Sequence, residues 1–262
     1  MIYISYGVTK SASTFLYQLT EETFRTAGRK VARLGHPFRP IDSVENYFNF
    51  IETELLDEIE TAIGGQDIVL KTHGTPPRDL AQLVASGRVM GSASIRDPRE
   101  IALSMLDHGT RSRRWRSSRF SEFVTVADTL HALDLQIACF LNWAGTPGVA
   151  VFNYNDICFD SAAVVRSIAA QIGAEVDAEA VVGTFGSKTT IGQFSKGKAL
   201  RYTEMDNRDQ TLFLERFKAL YSAYEFETEA ALKIAQMQAN RSFRPSGELR
   251  QSISTLRRLF RV

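Results

Sequence analysis

Cysteine is scarce in this chain: 262 residues hold only Cys139 and Cys158. They lie far apart and lack metal-ligand spacing, so they read as free thiols in a reducing compartment. No apolar run is long enough to span a bilayer. The basic-then-apolar layout of a secretory leader is missing too, which sets a cytoplasmic location as the expectation. Surplus charge is also lacking, since the formal net charge is +1. That removes the global electrostatic case for nucleic acid binding and makes any attraction for anions local. Internal repeats and linkers are missing as well. The expectation is one domain over 1–262, large enough to bury roughly three quarters of its unfolded surface.

What is present begins at the N-terminus. An apolar run (Ile2, Tyr3, Ile4) leads into Tyr6-Gly7-Val8-Thr9-Lys10-Ser11-Ala12-Ser13-Thr14-Phe15, and an amphipathic segment with Leu16, Leu19 and Phe24 follows. This order reads as strand, small-residue loop, helix. Such a loop aims backbone N–H groups and a helix N-terminus at one point, where an anion can sit. Lys10 adds a charge, and Ser11, Ser13 and Thr14 add hydroxyl donors. An ordinary polar turn between strand and helix is the alternative. The loop is not a nucleoside-triphosphatase P-loop, because Ala12-Ser13-Thr14 stands where Gly-Lys-Ser/Thr is required. The lysine is displaced to position 10.

Strands are expected at 2–6, 30–34, 67–72, 89–95 and 149–154, and helices at 14–27, 48–63, 78–86, 98–107, 120–143 and 161–172. The alternation predicts an α/β fold: a three-layer parallel sheet with helices on both faces, P-loop-like, and a helical part after Tyr154. The Gly-, Ser-, Thr- and Lys-rich stretch 183–198 reads as a long loop. Parallel strands put their C-terminal ends on one edge, where ligands of such sheets bind.

Two further strand ends carry chemistry. Lys71 and His73, two residues apart, share a face of the third strand, and histidine can accept a proton near neutral pH. A surface lysine and a structural histidine are the plainer alternative. The fourth strand ends Ser94-Ile95-Arg96-Asp97-Pro98-Arg99, with Pro98 suited to a first helical turn and Asp97 to its cap. Arg96 and Ser104 could grip a second phosphate. Otherwise Arg96 belongs to a salt bridge with Asp97 or a neighbouring acid.

Together these segments resemble the sulfotransferases that use 3′-phosphoadenosine 5′-phosphosulfate. The first loop of that family reads roughly Pro-Lys-Ser-Gly-Thr-Thr-Trp, and Thr9-Lys10-Ser11-Ala12-Ser13-Thr14-Phe15 takes its place here. Lys71-Thr72-His73 matches the family's Lys-Thr-His. Arg96-Asp97-Pro98-Arg99 with Ser104 matches its Arg-Asp-Pro-Arg with a serine eight residues after the first arginine. The likeness covers residues 1 to about 110 and continues faintly to Tyr154 and Phe194-Ser195-Lys196-Gly197. Ala12, Phe15 and Ser195 depart from the family, which has Gly, Trp and Arg there.

The resemblance implies roles. Lys10 with Ser11, Ala12, Ser13 and Thr14 would hold the 5′-phosphate, and Phe15 would stack on the adenine. His73 would take the proton of the acceptor hydroxyl, with Lys71 assisting at the sulfuryl oxygens. Arg96 and Ser104, helped by Lys196 and Gly197, would bind the 3′-phosphate. No metal is called for. The basic stretch 111–119, with Trp115, reads either as a lid over an anionic or carbohydrate-like acceptor or as a solvated loop. The segment 249–262 combines Leu256, Leu259 and Phe260 with Arg250, Arg257, Arg258 and Arg261, and could touch a membrane or partner or dock on its own domain. A small-metabolite kinase, with Asp97 as the magnesium-holding acid, and a catalytically silent nucleotide binder are the competing functions.

Overall fold

A computed structural model describes residues 1–38, 44–115, 119–187 and 198–242. Its centre is a five-stranded, wholly parallel sheet in the order β2-β3-β1-β4-β5. The strands are β1 (Ile2–Gly7), β2 (Tyr47–Phe48), β3 (Ile68–Thr72), β4 (Val89–Ile95) and β5 (Val149–Asn153). The helices are α1 (Ser13–Thr26), α2 (Thr53–Ile63), α3 (Leu80–Ala85), α4 (Pro98–Arg114), α5 (Leu130–Ala144), α6 (Tyr154–Phe159), α7 (Ser161–Gln171), α8 (Ala178–Ser187), α9 (Asn207–Arg216), α10 (Lys218–Ala223) and α11 (Glu229–Ser242).

Residue alternation along the strands builds two cores. Ile2, Ile4 and Tyr6 of β1 and Ile68 and Leu70 of β3 pack with α2, α3, α4 and α5. Tyr3 and Val69 face the other way, onto Phe15, Leu16, Leu19 and Phe24 of α1 and the apolar residues of α7 and α8. A side-chain period of two thus sends successive residues into opposite layers, and the expected three-layer architecture is what forms. Trp143 of α5 ties β1 to the chain just beyond β3. Its ring stacks on Tyr6 at 5.3 Å, and its Nε1–H donates to the Gly74 carbonyl at 2.9 Å.

Five local expectations are corrected. Segment 30–34 is no strand: it makes one bridge, Val31 to Asp67, and then Asn46 takes over. The Asn46 side chain accepts from Leu34 N–H and donates to the Ala32 and Val69 carbonyls, satisfying the backbone in place of a ladder. Phe48 does not begin a helix. It lies in β2, paired with Thr72, and α2 starts only at Thr53. The helix expected from Phe120 begins at Leu130, after a 3₁₀ turn at Ala127–Thr129. The Asp128 carboxylate there accepts from Val124 and Thr125 N–H and fixes a non-helical turn. Finally, α4 runs on to Arg114, so Arg111, Arg113 and Arg114 are helical rather than loop. Gly183 likewise belongs to α8. Residues 188–197, with Phe194, Ser195, Lys196 and Gly197, and the segment 249–262 lie outside the described residues.

Candidate active site

Every strand of a parallel sheet ends on one edge, and β1 sits where the strand order reverses. The chain runs from β1 to β3 on one side and then crosses to β4 on the other, which opens a crevice at the β1 end. A cleft of ≈ 290 Å³ lies there. Thr9, Lys10 and Ser13 come to it from the loop after β1, Tyr47 and Asn49 from the β2 end, and Lys71 and His73 from the β3 end. Its remaining wall includes His108 of α4, Arg119 and Phe120.

The loop after β1 is built for close approach. A side chain at Gly7 would meet Ser94 Oγ at 2.2 Å and Ser13 Cβ at 2.4 Å, so only glycine lets the helix start press onto the sheet. Lys10 and Ala12 adopt left-handed backbone, φ 68° and 63°. Such conformations are uncommon for residues with a side chain and form the concave nests that turn N–H groups inward. Ala12 is the N-cap of α1 and supplies no capping side chain. The first-turn N–H groups of a helix have no intrahelical acceptor and carry the positive end of its dipole. Ser11 serves the frame: buried, its Oγ donates to the Val8 carbonyl at 2.6 Å and meets Ser94 Oγ at 2.7 Å. Thr9 is held by Gln136 of α5 through both its N–H (3.0 Å) and its hydroxyl (2.6 Å).

Lys10 Nζ lies 2.7 Å from His108 Nδ1 and 4.6 Å from the centre of the Phe120 ring. An ammonium only donates, so His108 Nδ1 is the bare nitrogen. Burial, and then the charges of Arg111 and Arg119, push the Lys10 ammonium down to about 8. Burial, Lys10, Arg111 and Arg119 push His108 down to about 4.

His73 follows the end of β3. Its Nδ1 lies 2.5 Å from the Gly7 carbonyl and its Nε2 3.1 Å from Lys71 Nζ. A carbonyl only accepts, so Nδ1 carries the proton and Nε2 presents its lone pair. Burial, then the Lys71 charge, push His73 down to about 3, with the Gly7 hydrogen bond opposing and Lys10 adding to the fall. The imidazole is therefore neutral. Lys71 is buried in β3, its ammonium 4.1 Å from the centre of the Tyr47 ring.

Arg96 ends β4 on the same edge but is not among the residues lining this cleft. It is buried, its Nε donates to Glu100 Oε2 at 2.8 Å, and its guanidinium lies 3.7 Å from the Tyr154 ring centre. Its Nη2 points to the Lys198 carbonyl at 3.5 Å. Arg96 does form a salt bridge, with Glu100 rather than Asp97 as the acid. Ser104, half-buried on α4, is outside the cleft lining too. Thr14 is buried in α1, and Phe15 is buried in the core with its ring edge-on to Phe185 at 5.3 Å. Phe15 therefore packs on protein, where the resemblance gave it an adenine to stack on. Lys196 and Gly197 lie outside the described residues, and Lys198 is bound to Glu204 at 2.8 Å.

Asp97 caps α4 through the Arg99 N–H, pairs with the Arg99 guanidinium and accepts from the Tyr221 hydroxyl. A magnesium-holding role for Asp97 would have to displace all of these. Sequence reasoning did not find Tyr47, Asn49, His108 or Phe120. His108 had a signal: it stands one helical turn beyond Ser104 and so shares its face.

No family model matches the chain, and no curated protein matches it. Solved structures do. A retinol dehydratase in complex with androsterone and the inactive cofactor PAP superposes with TM-score 0.51 at 14% identity, over 83% of this chain and 79% of that one. Mouse sulfotransferase SULT7A1 complexed with PAP gives TM-score 0.51 at 15% identity, over 90% and 88%. A retinol dehydratase with retinol and PAP gives 0.50 at 15%, over 83% and 80%. The architecture of this chain is thus the P-loop-like sulfotransferase fold.

Proposed function

We propose that this chain is an enzyme that transfers a sulfuryl group from 3′-phosphoadenosine 5′-phosphosulfate to the hydroxyl of a carbohydrate-like acceptor. One observation carries the reading. A neutral histidine with its lone pair at Nε2 shares a cleft with two lysines and a helix N-terminus, on the strand-end edge where parallel α/β sheets bind ligands. The residues fit the donor: Gly7, Lys10 and Ala12 form an anion cradle, and the depressed Lys10 shows a buried positive site that an anion would relieve.

The donor supplies an activated sulfuryl group next to its 5′-phosphate. Lys10 and the first turn of α1 hold that phosphate, and their interaction strengthens as negative charge grows on it. His73 Nε2 accepts the acceptor's hydroxyl proton once Lys71 turns from it to the sulfuryl oxygens, while the Gly7 carbonyl holds Nδ1–H and keeps the ring in the right tautomer. Lys71 brings its charge to the same point. Arg96, its plane set by Glu100 and Tyr154, binds the 3′-phosphate together with Ser104.

Calorimetry with 3′,5′-bisphosphoadenosine (PAP), AMP and ATP tests the reading. PAP is expected to bind far more tightly than AMP. Equal affinity for the two sinks it.

A further inference from the structure

We infer that the acceptor carries a negative charge near its reacting hydroxyl, and that Arg119 and His108 hold it on the wall of the cleft that meets Lys10. The inference rests on the sulfotransferase reading, in which Lys10 and Lys71 already answer to the donor. Two further basic side chains that the donor does not claim, His108 and Arg119, line the same cleft. Among the described residues that line it there is no Asp or Glu.

Their placement is built. His108 stands on α4, and the chain after that helix turns back across it. Gly109 makes the crossing possible: a side chain there would meet the Phe120 carbonyl oxygen at 2.3 Å and that of Phe123 at 2.9 Å. Arg113 fastens the return by donating to the Ser121 (2.9 Å) and Phe123 (2.8 Å) carbonyls. Phe120 completes the turn with left-handed backbone, φ 58°, and its ring lies beneath Lys10 and 5.0 Å from His108. Arg119, exposed at its outer side, is carried into the lining by this fastened turn.

The charge at this wall is felt by its neighbours. His108 faces Lys10 from the β1–α1 loop, Arg111 from its own helix and Arg119 from the returning chain, and all three help to hold it neutral. A bound carboxylate or sulfate would offset that repulsion, accept from the His108 Nε2–H and pair with Arg119 bidentately. Phe120 and Tyr47 line the cleft beside the charges. An acidic sugar supplies both halves of this chemistry, an apolar ring face and an anion next to hydroxyls; a neutral phenol supplies neither charge.

Calorimetry separates the outcomes. PAP is titrated first, and failure to bind removes the sulfotransferase reading and this inference with it. The PAP-saturated protein is then titrated with methyl β-glucuronide, methyl β-glucoside 6-sulfate and methyl β-glucoside. An anionic sugar is expected to bind at least about tenfold more tightly than the neutral one, the worth of a charge-assisted hydrogen bond. The better of the two identifies carboxylate or sulfate. Arg119→Gln should abolish the preference and leave PAP affinity within about fivefold, the reach of an exposed charge. His108→Asn, with a melting curve for each variant, checks the second contact independently of folding. Equal binding or no binding of the three sugars, or a preference that survives Arg119→Gln, overturns the inference while the donor reading stands. So does a parallel loss of PAP affinity in Arg119→Gln at unchanged melting temperature.

Discussion

At the residue scale, His73 illustrates how a site is tuned by what surrounds it. The Gly7 carbonyl fixes its tautomer, and burial with Lys71 keeps it unprotonated far below the ordinary histidine value of about 6.5. Two predictions follow from that arrangement. His73→Ala should lower turnover by about 10²–10⁴-fold, the usual worth of a positioned base, while PAP affinity stays nearly constant. Single-turnover rates beside calorimetry check it, and an unchanged rate would assign the proton to another group. In wild type, kcat/KM reports the free enzyme, so its acid limb should fall well under pH 6.5, toward the value of about 3. A midpoint at an ordinary histidine pKa would contradict the buried, lysine-faced ring. Arg96→Ala should erase the preference for PAP over AMP by weakening PAP alone, by about tenfold or more for a lost charge-assisted contact. Lys10, Lys71, His73 and Arg96 could all be named from sequence because each ends a strand or follows one. His108 was legible only through its i,i+4 relation to Ser104 on α4, and Phe120 was not, because its position depends on a chain crossing at Gly109 that no local pattern encodes.

At the element scale, β1, β3, β4 and β5 were legible, since a Val- and Ile-rich run between turn residues has few other uses. The misreadings came from edges. Phe48, Ile51, Leu55 and Ile59 keep helical spacing, yet Phe48 and Ile51 reach the core from an extended segment. A spacing of three or four puts side chains on one side in a helix, but a bent edge segment can do so as well. Asn46 likewise replaces a strand with three side-chain hydrogen bonds, a tertiary choice invisible to propensity. Glycine gives this scale its test. A Cβ at Gly74 would meet the Asn49 carbonyl oxygen at 1.8 Å, and the Gly74 carbonyl holds Trp143. Gly74→Ala should cost about 1–3 kcal/mol as an overpacked site and displace the neighbouring His73. Gly183, exposed in α8 with nothing near its missing Cβ, should behave oppositely. There Ala adds about 0.5–1 kcal/mol of helix stability. Thermal melts of the two variants should therefore move in opposite directions, and a shared direction would contradict the packing at Gly74.

At the scale of the whole molecule, the sheet gathers positive charge that folding alone does not favour. Lys10 sits in left-handed backbone, partly buried beside His108, with Arg111 and Arg119 repelling it. Its folded pKa of about 8 lies below the ordinary 10.5, so between these values the unfolded chain binds more protons. The contribution of Lys10 to stability should then rise with pH across that window, and its penalty is fully present below it. Lys10→Met removes the charge and keeps the backbone demand and most of the side-chain volume. The variant should melt at or above the wild-type temperature near pH 7 and lose the rise between pH 8 and 10.5. An anionic ligand acts in the reverse sense. PAP at a hundred times its dissociation constant stabilises a folded protein by about 2.7 kcal/mol. At about 2–4 °C per kcal/mol for a chain approaching this size, the melting temperature should climb by roughly 5–10 °C. Lys10→Met should lose most of that gain if, as proposed, the charge that burdens the free protein is the one that grips the ligand. Melting curves at pH 7 and pH 10 with and without PAP decide it. A Lys10→Met protein that is less stable alone and equally stabilised by PAP would mean that the lysine supports the fold rather than the phosphate.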